Sequence, residues 1–518
     1  MVFDIKMDGQ FTRKARLVAD GHLTADIEPA LTYSSVVSRE SVRIAFLHAA
    51  LNDLDVLGCD VTKAYLNAKC REKIWIRAGP EFGTDEGSVM IIRKALYGLK
   101  SAGKSWRSML AESLEDLGWV NTIADPDVYR RESVRKNGNR YYELLLVYVD
   151  DILVVSHDPK STMDRIGQMY DLKDSVKRPQ RYLGANIERR QTRDGRVVWA
   201  MSSRDYVRNA VQVVKDMLHE DGLALKVGKQ ADRPMPKSYH PELDVSPELS
   251  AEMANRYQQL IGMLRWAIEL GRIDILLEVS LLSSHLAQPR EGHMEAAYNI
   301  FAYLNKQPHP PIVLDNKVIR MNESAFNKAN WKESIYGDVC EEMPHNAPEP
   351  LGNPITMTCF VDANHAGEHG TRRSHTGFII YLNNAPVDWY SKRQNTVESS
   401  TFGSEFVAMR IATERIRALR YKLRMFGIPI DGPTNILGDN ESVVNAASKV
   451  EAKLNKKHNA ICYHAVREAA AAGWIRVGWE PTETNVADLF TKMLPVDRRG
   501  DLLGCIYLRT QRMDPGED

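Results

Sequence analysis

The sharpest feature of the hydropathy pattern lies between Tyr141 and Ser156. An apolar, β-prone run, Tyr141-Tyr142-Glu143-Leu144-Leu145-Leu146-Val147-Tyr148-Val149, is interrupted by Asp150-Asp151 and resumes as Ile152-Leu153-Val154-Val155-Ser156. Apolar β-branched and aromatic runs on both sides predict two strands buried on both faces. The aspartates then fall at the tight turn of a hairpin. Adjacent carboxylates repel and raise each other's pKa unless a cation lies between them. A divalent metal with hard oxygen ligands is the natural partner. A third carboxylate would complete a phosphoryl-transfer site, whereas a bare Asp-Asp tip would be an ordinary solvated turn.

Earlier in the chain, Val2–Lys6 and Lys14–Val18 predict a hairpin with Asp8-Gly9 at its turn. Lys14 and Arg16 alternate with apolar neighbours; they could grip a triphosphate or form the wet side of a strand. From Ser38, a capping residue, Val42, Ala45, Phe46 and Ala49 recur at helical spacing. A strand runs from Asp55 to Asp60 and a helical turn follows. An acid at the end of a buried strand is costly without a partner, which makes Asp60 the candidate third carboxylate. Tyr65 could stand over the same site as an aromatic plate, or pack in the core. In Arg93–Trp106, Gly98 and Gly103 allow close backbone approach while lysines and aromatics interleave, as on a surface that meets nucleotide and template.

Beyond Pro236 the pattern is helical. Tyr257, Leu260, Ile261, Leu264 and Ala267 share one face; a second helix is expected over Ile273–Leu286 and a third over Glu291–Leu304. From about 306 to 356, prolines (Pro308, Pro310, Pro311, Pro344, Pro348, Pro350, Pro354) predict a connection with little regular core. A second acid series follows. Asp362 lies in the strand run Thr358–Asn364, Glu405 lies on a helix, Asp439 falls at the end of the strand that begins at Ile436, and Asn485 or Thr484 caps a helix bearing Asp488. Two further strands, Thr376–Tyr381 and Val387–Ser391, lie between the first two acids.

Composition narrows the setting without naming a chemistry. A chain of 518 residues, 43% hydrophobic and 26% charged, has globular composition and length for about three domains. No apolar run is long enough to cross a bilayer and no leader opens at Met1, so a soluble protein is expected. Cys59, Cys70, Cys340, Cys359, Cys462 and Cys505 show no C-x-x-C pairing and read as free thiols of a reducing compartment. With a formal net charge of zero, polyanion binding must come from local clusters. Arg130, Arg131, Arg135, Lys136 and Arg140 form one, Arg372, Arg373, Lys392 and Arg393 another; each also reads as a solvated loop.

Asp60 in its context, Leu96-Tyr97-Gly98-Leu99-Lys100, Tyr148-Val149-Asp150-Asp151, Lys14-Ala15-Arg16-Leu17-Val18 and Tyr182-Leu183-Gly184 resemble the reverse transcriptase of copia-type LTR retrotransposons. The match runs in order through the first 310 residues. One departure stands out: relatives commonly carry Gln then Ala-Pro after Leu-Lys, where this chain has Ser101-Ala102-Gly103. The order of the second acid series resembles ribonuclease H of the same elements, with Gly403-Ser404-Glu405 keeping only the last acid of a usual Glu-Ala-Glu.

The resemblance implies an α/β (α+β) chain: a right-hand polymerase of fingers, palm and thumb joined to a ribonuclease H-like domain. The expected division is 1–235 fingers and palm, 236–310 thumb-like, 311–356 connection, 357–495 ribonuclease H-like and 496–518 tail. It implies that Asp60, Asp150 and Asp151 hold two Mg2+ ions (or Mn2+), and that Asp362, Glu405, Asp439 and Asp488 hold two more. Lys14, Arg16, Tyr65 and Lys100 are the expected dNTP contacts, Tyr65 as the gate against a ribose 2′-hydroxyl; Tyr182, Leu183 and Gly184 are expected at the primer terminus. His458 and His464 either assist product release or are surface histidines.

The expected activity is RNA-directed DNA synthesis with ribonuclease H cleavage. The implied partners are RNA template, DNA primer, RNA/DNA hybrid, dNTPs, and the capsid and integrase parts of a polyprotein, with no membrane. The implied location is the cytoplasm, in virus-like particles if the element is active, with nuclear entry. The rival is a retired element remnant that binds nucleic acid without catalysis; that every expected ligand position is filled favours the enzyme.

Overall fold

The computed structural model describes residues 2–5, 13–19, 32–307, 310–454 and 457–513. The chain divides into two compact units, Met1–Val42 with Asp53–Arg178, and Arg43–Asn52 with Pro179–Asp518.

In the first unit, β1 (Val2–Ile5) and β2 (Arg13–Arg16) form the expected hairpin, with Lys14 opposite Asp4; its Asp8-Gly9 turn lies outside the described residues. Helix α1 (Arg39–Asn52), which belongs to the second unit from Arg43 on, follows Ser38, whose hydroxyl accepts from the Ser41 N–H at 3.4 Å. Next come β3 (Asp55–Val61), the one-turn α2 (Ala64–Asn67), the paired β4 (Trp75–Arg77) and β5 (Val89–Ile91), and α3 (Ala102–Asp116). Then follow β6 (Val120–Asn121), β7 (Val128–Val134), β8 (Arg140–Tyr148), β9 (Asp151–Ser156), α4 (Pro159–Gly167) and β10 (Leu172–Lys177). One antiparallel sheet runs β10-β3-β9-β8-β7-β6. Leu145, Val147, Ile152 and Val154, alternate positions of its central hairpin, pack with Trp106, Leu110 and Leu114 of α3 and Met163 and Ile166 of α4. Leu144, Leu146, Leu153 and Val155, on the opposite face, are also fully buried, as the double-sided apolar pattern predicts. Full burial of each such side chain stabilises by about 1.5–3 kcal/mol.

The second unit begins with β11 (Arg181–Tyr182), β12 (Ala185–Gln191), β13 (Val197–Ser202) and α5 (Arg204–Glu220). Helices α6 (Ala251–Glu269), α7 (Leu276–Leu282) and α8 (Glu291–Lys306) follow, then β14 (Ile312–Leu314). The face of α6 read from the sequence, Tyr257, Leu260, Ile261, Leu264 and Ala267, is the buried one; it packs with Val207, Val211 and Val214 of α5 and Ala297, Ile300 and Phe301 of α8. The second expected helix is broken. Three-ten turns at Ile273–Ile275 and Ser283–His285 flank a short α7. Arg272 and Asp274, two residues apart, form a buried bidentate pair at the first turn, and side chains at that spacing do not meet along a regular α-helix. The proline-rich connection holds more core than its composition suggests. Ile312, Val313 and Leu314 are buried as β14, which completes the sheet β11-β12-β13-β14.

The remaining elements are β15 (Met357–Asn364), β16 (His375–Leu382), β17 (Ala385–Arg393), α9 (Thr401–Phe426), β18 (Thr434–Gly438), α10 (Glu441–Ser448), α11 (Ala460–Ala471), β19 (Ile475–Trp479), α12 (Val496–Ile506) and β20 (Gln511–Arg512). They build a five-stranded sheet in the order β17-β16-β15-β18-β19, with β15, β16 and β17 antiparallel and β18 and β19 parallel to β15. The mixed α/β class expected from the sequence is the observed one. Residues 496–513 of the expected tail form regular elements: α12 buries Leu502 and Ile506, and β20 pairs with β12.

Candidate active sites

In the first unit, strand register brings three carboxylates together. Asp60, on β3, stands directly opposite Asp151, the first residue of β9. Asp150 lies beside them in the two-residue turn Val149-Asp150, because Tyr148 pairs with Asp151. The turn is therefore one residue earlier than the Asp-Asp tip expected, and Asp151 belongs to the strand. Val149 carries the left-handed φ of 57° that such a turn requires, a costly conformation for a β-branched residue. Two bonds hold it: the Trp106 indole N–H donates to the Val149 carbonyl at 2.6 Å, and the Val61 N–H to the Asp150 carbonyl at 2.8 Å.

Electrostatics follow from this crowding. Burial, then the charges of Asp150 and Asp60, pushes Asp151 up to about 6, while Lys173 pulls it down. The Cys59 thiol is pushed up to about 12 by burial and by Asp151 and Asp60. Lys173, opposite Asp60 on β10, reaches its carboxylate at 3.2 Å.

Tyr65 lies against Tyr97, ring centroids 4.9 Å apart. Burial raises both hydroxyls, and Asp150 adds to each; Arg16 lowers that of Tyr97. Arg16, Tyr65, Tyr97 and Asp150 thus share one neighbourhood, of which Tyr97 was not singled out from the sequence. Gly98, with φ 89°, is required there: a Cβ would stand 2.0 Å from the Ala19 carbonyl oxygen. Lys100 lies half-buried ahead of α3, and Lys14 on β2. Tyr182 ends β11, and Leu183 and Gly184, with φ of 47° and 84°, form the turn into β12, in the second unit.

The second unit gathers the other four acids. Asp362 is on β15, Glu405 on α9, Asp439 directly after β18, and Asp488 in the three-ten turn Val486–Phe490 rather than a longer helix. Carboxylate oxygens of Asp362, Asp439 and Asp488 lie within 4.8 Å of one another. Burial, then Asp362 and Asp439, raises Glu405 well above the ordinary range; burial, then Asp362, raises Asp439. Burial also raises Asp362, against the pull of Lys492.

The Asp488 turn is stitched to the sheet. Asn485, the expected cap, accepts from the Ala487 N–H and donates to the Val361 carbonyl, both at 3.1 Å. Asn364 donates to the Thr491 carbonyl at 3.1 Å, and Thr482 to Asp439 at 2.9 Å. Gly377, opposite Asp362 on β16, makes room, since a Cβ there would meet Phe490 and Thr491 at 2.7 Å.

Lys492 went unassigned in the sequence. Its ammonium bonds Asp488 at 2.6 Å and Asp362 at 3.1 Å, and Arg498 also pairs with Asp488. Its spacing of four from Asp488 was the available signal. His464 bonds the Tyr336 hydroxyl at 2.7 Å and His458 contacts Ser399 at 3.4 Å.

The oxygens of Asp362, Asp439 and Asp488 converge, and Asp60, Asp150 and Asp151 are neighbours by register and by mutual charge; hard carboxylate oxygens suit a divalent cation of the Mg2+ class. Among the described residues no helix is long and apolar enough to cross a membrane.

Residues 1–220 match the family of reverse transcriptases (RNA-dependent DNA polymerases). The retrovirus-related Pol polyprotein from transposon RE1 of Arabidopsis thaliana is 27% identical over 494 residues, covering 94% of this chain and 30% of the relative. That from transposon TNT 1-94 of Nicotiana tabacum is 25% identical over 507 residues, covering 95% and 34%. The chain thus spans about a third of the length of these relatives.

Among solved structures, the foamy viral protease-reverse transcriptase in complex with RNA/DNA hybrid is 11% identical, with 88% of this chain and 69% of that chain covered and a TM-score of 0.28. The N-terminal RNase H domain of a Mycobacterium tuberculosis protein is 14% identical, covering 29% and 96%, with a TM-score of 0.21. By sequence, the chain is similar along nearly its whole length to retrovirus-related Pol polyproteins of plant transposons, and its residues 1–220 match the reverse transcriptase family.

Proposed function

We propose that this chain is an RNA-directed DNA polymerase with ribonuclease H activity, copying retrotransposon RNA into DNA. The observation that carries the reading is the pair of separate acid clusters, Asp60 opposite Asp151 with Asp150 in the adjoining turn, and Asp362 converging with Asp439 and Asp488 beside Glu405. Each cluster would hold two Mg2+ ions, replaceable by Mn2+. Bound there, such ions supply charge stabilisation at the attacking and leaving oxygens of an in-line phosphoryl displacement.

The chain's own part is positioning. Asp60, Asp150 and Asp151 would fix a primer 3′-hydroxyl and a dNTP triphosphate on one cation set, with Lys14, Arg16 and Lys100 countering phosphate charge. Tyr65, backed by Tyr97, would offer a flat wall against a ribose 2′-hydroxyl, and Tyr182, Leu183 and Gly184 would support the primer. Asp362, Glu405, Asp439 and Asp488 would hold the cations against which the scissile phosphate of an RNA/DNA hybrid is placed. The reading keeps the five-part division at 235, 310, 356 and 495, capsid and integrase as partner segments, and action in the cytoplasm, within virus-like particles, with nuclear entry.

The test uses purified full-length chain, primed RNA template, dNTPs and Mg2+, with hybrid cleavage assayed in parallel. Asp150→Asn is expected to abolish DNA synthesis and spare cleavage, and Asp439→Asn to do the reverse. Hybrid binding without incorporation would support a retired binding protein. Loss of both activities from either substitution would refute independent sites.

A further inference from the structure

Away from both acid clusters, the second unit gathers two imidazoles around one carboxylate. His240 and Glu242 flank Pro241 at the start of a short turn, and His369 lies in the loop between β15 and β16. A ring nitrogen of each histidine and an oxygen of Glu242 lie within 4.8 Å of one another. His240 Nδ1 is 3.6 Å from Glu242 Oε1, and the same oxygen accepts from the backbone N–H of His369 at 3.1 Å. The two rings meet edge to face at 90°, centroids 4.7 Å apart.

The cluster borders a cavity of about 470 Å3 that His285, His375, Asn364, Thr491 and Lys492 also line. Both histidines are exposed at the rim while Glu242 is half-buried beneath them. Two imidazole nitrogens and a carboxylate oxygen gathered this closely are a donor set that a cation would draw together.

We infer that His240, Glu242 and His369 form a binding site for a transition-metal cation of the Zn2+ class, closed by a water from the cavity side. Two nitrogens and one oxygen are the donor set of a borderline cation, whereas the all-carboxylate clusters favour hard Mg2+. Ligand bonds of about 2.0–2.2 Å bring tetrahedral donors closer together than they stand here. Closing that difference takes a shift of about an ångström in each side chain, which the two exposed histidines can make by small rotations about χ1 and χ2.

The ligands come from segments 127 residues apart in sequence, so the ion would clamp the loop following Asn364 to the turn at Pro241. That loop runs on from the strand that carries Asp362, so the clamp would steady one wall of the second acid cluster. The inference does not rest on either catalytic reading.

Co2+ titration of the full-length chain in excess Mg2+ tests it. The parent is expected to take up one equivalent with the intense visible absorption of a four-coordinate centre, discharged by Zn2+. His369→Ala and Glu242→Gln should each weaken uptake at least tenfold, while His458→Ala and Asp362→Asn leave it unchanged. Because His240 and His369 are exposed, His240→Ala and His369→Ala test the ligands without disturbing the core, and both should behave alike. No four-coordinate spectrum in the parent, a spectrum indifferent to His369→Ala, or one lost with Asp362→Asn, would each overturn the inference.

Discussion

Lys492 occupies the charge centre of the second acid cluster, bonded to both Asp362 and Asp488, whose side chains are fully buried. Without a divalent ion, this ammonium, with Arg498 at Asp488, makes the buried carboxylates tolerable; with one, it must yield. Lys492→Met should therefore act in opposite directions on the two states. Metal-free stability is expected to fall by about 1.5–3 kcal/mol, the worth of charge-assisted bonds in a half-buried setting. Mg2+ binding should tighten by about tenfold, about 1.4 kcal/mol, because no resident cation is displaced. Denaturant melts with and without Mg2+ check both; equal losses in the two conditions would remove Lys492 from the competition.

Asp151 carries the pH signature of the first cluster. Its carboxyl rises from 3.8 to about 6 on folding, so the folded chain holds the proton more tightly than the unfolded one. The stability it contributes is thus full below about pH 4 and lost as pH rises through about 6. In metal-free buffer, stability should decline across that window, and Asp151→Asn should flatten the decline, raising neutral-pH stability on the order of 1 kcal/mol after solvent screening. Equilibrium unfolding at a series of pH values measures it. At this scale the acids were legible because carboxylates at the ends of apolar strands demand partners. The cations Lys173 and Lys492 were not, since a surface-type lysine acquires meaning only from neighbours that folding supplies.

Among elements, the β8–β9 hairpin shows where sequence rules stop. Apolar alternation foretold both strands, and turn chemistry favoured Asp-Asp at the tip. The pairing of Tyr148 with Asp151 overrides that preference and puts Val149 at φ 57°. Tertiary bonds from Trp106 and Val61 meet the cost, and no local propensity encodes them. Trp106→Phe keeps the ring in its pocket but removes the bond to the Val149 carbonyl. We expect a stability loss of about 1 kcal/mol, a several-fold drop in the turnover of DNA synthesis and unchanged hybrid cleavage. Unchanged synthesis rates would show that the indole packs without positioning the turn. Helix α5, whose Val207, Val211 and Val214 anchor the helical core, drew no notice in the sequence beside the longer runs after Pro236. The broken helix at 273–286 was hidden for a different reason: its apolar pattern is helical, and only the Arg272–Asp274 pair departs from it.

Taken whole, the second unit is tied together by polar bonds that sequence reading assigned to no domain. Asp274 receives Arg272 at 2.7 and 2.8 Å, the Tyr303 hydroxyl of α8 at 2.7 Å and the Tyr507 hydroxyl beyond α12 at 3.2 Å. Arg499 of α12 donates to the Tyr303 hydroxyl at 3.2 Å and pairs with the Asp274 carbonyl. In the connection, Glu341 is gripped by Arg420 and Arg424 of α9. The segments expected as connection and tail therefore carry part of the unit's stability. Asp274→Ala would leave the Arg272 guanidinium, 1% exposed, without its countercharge. Breaking such a buried pair costs about 3–5 kcal/mol, and this is the expected loss in equilibrium unfolding. Because Tyr303 and Tyr507 both donate to the carboxylate that this substitution removes, Tyr507→Phe should cost about 1 kcal/mol in the parent and less in the Asp274→Ala background. Strict additivity of the two substitutions would mean that α12 is held by its apolar contacts at Leu502 and Ile506 and not by the Asp274 network.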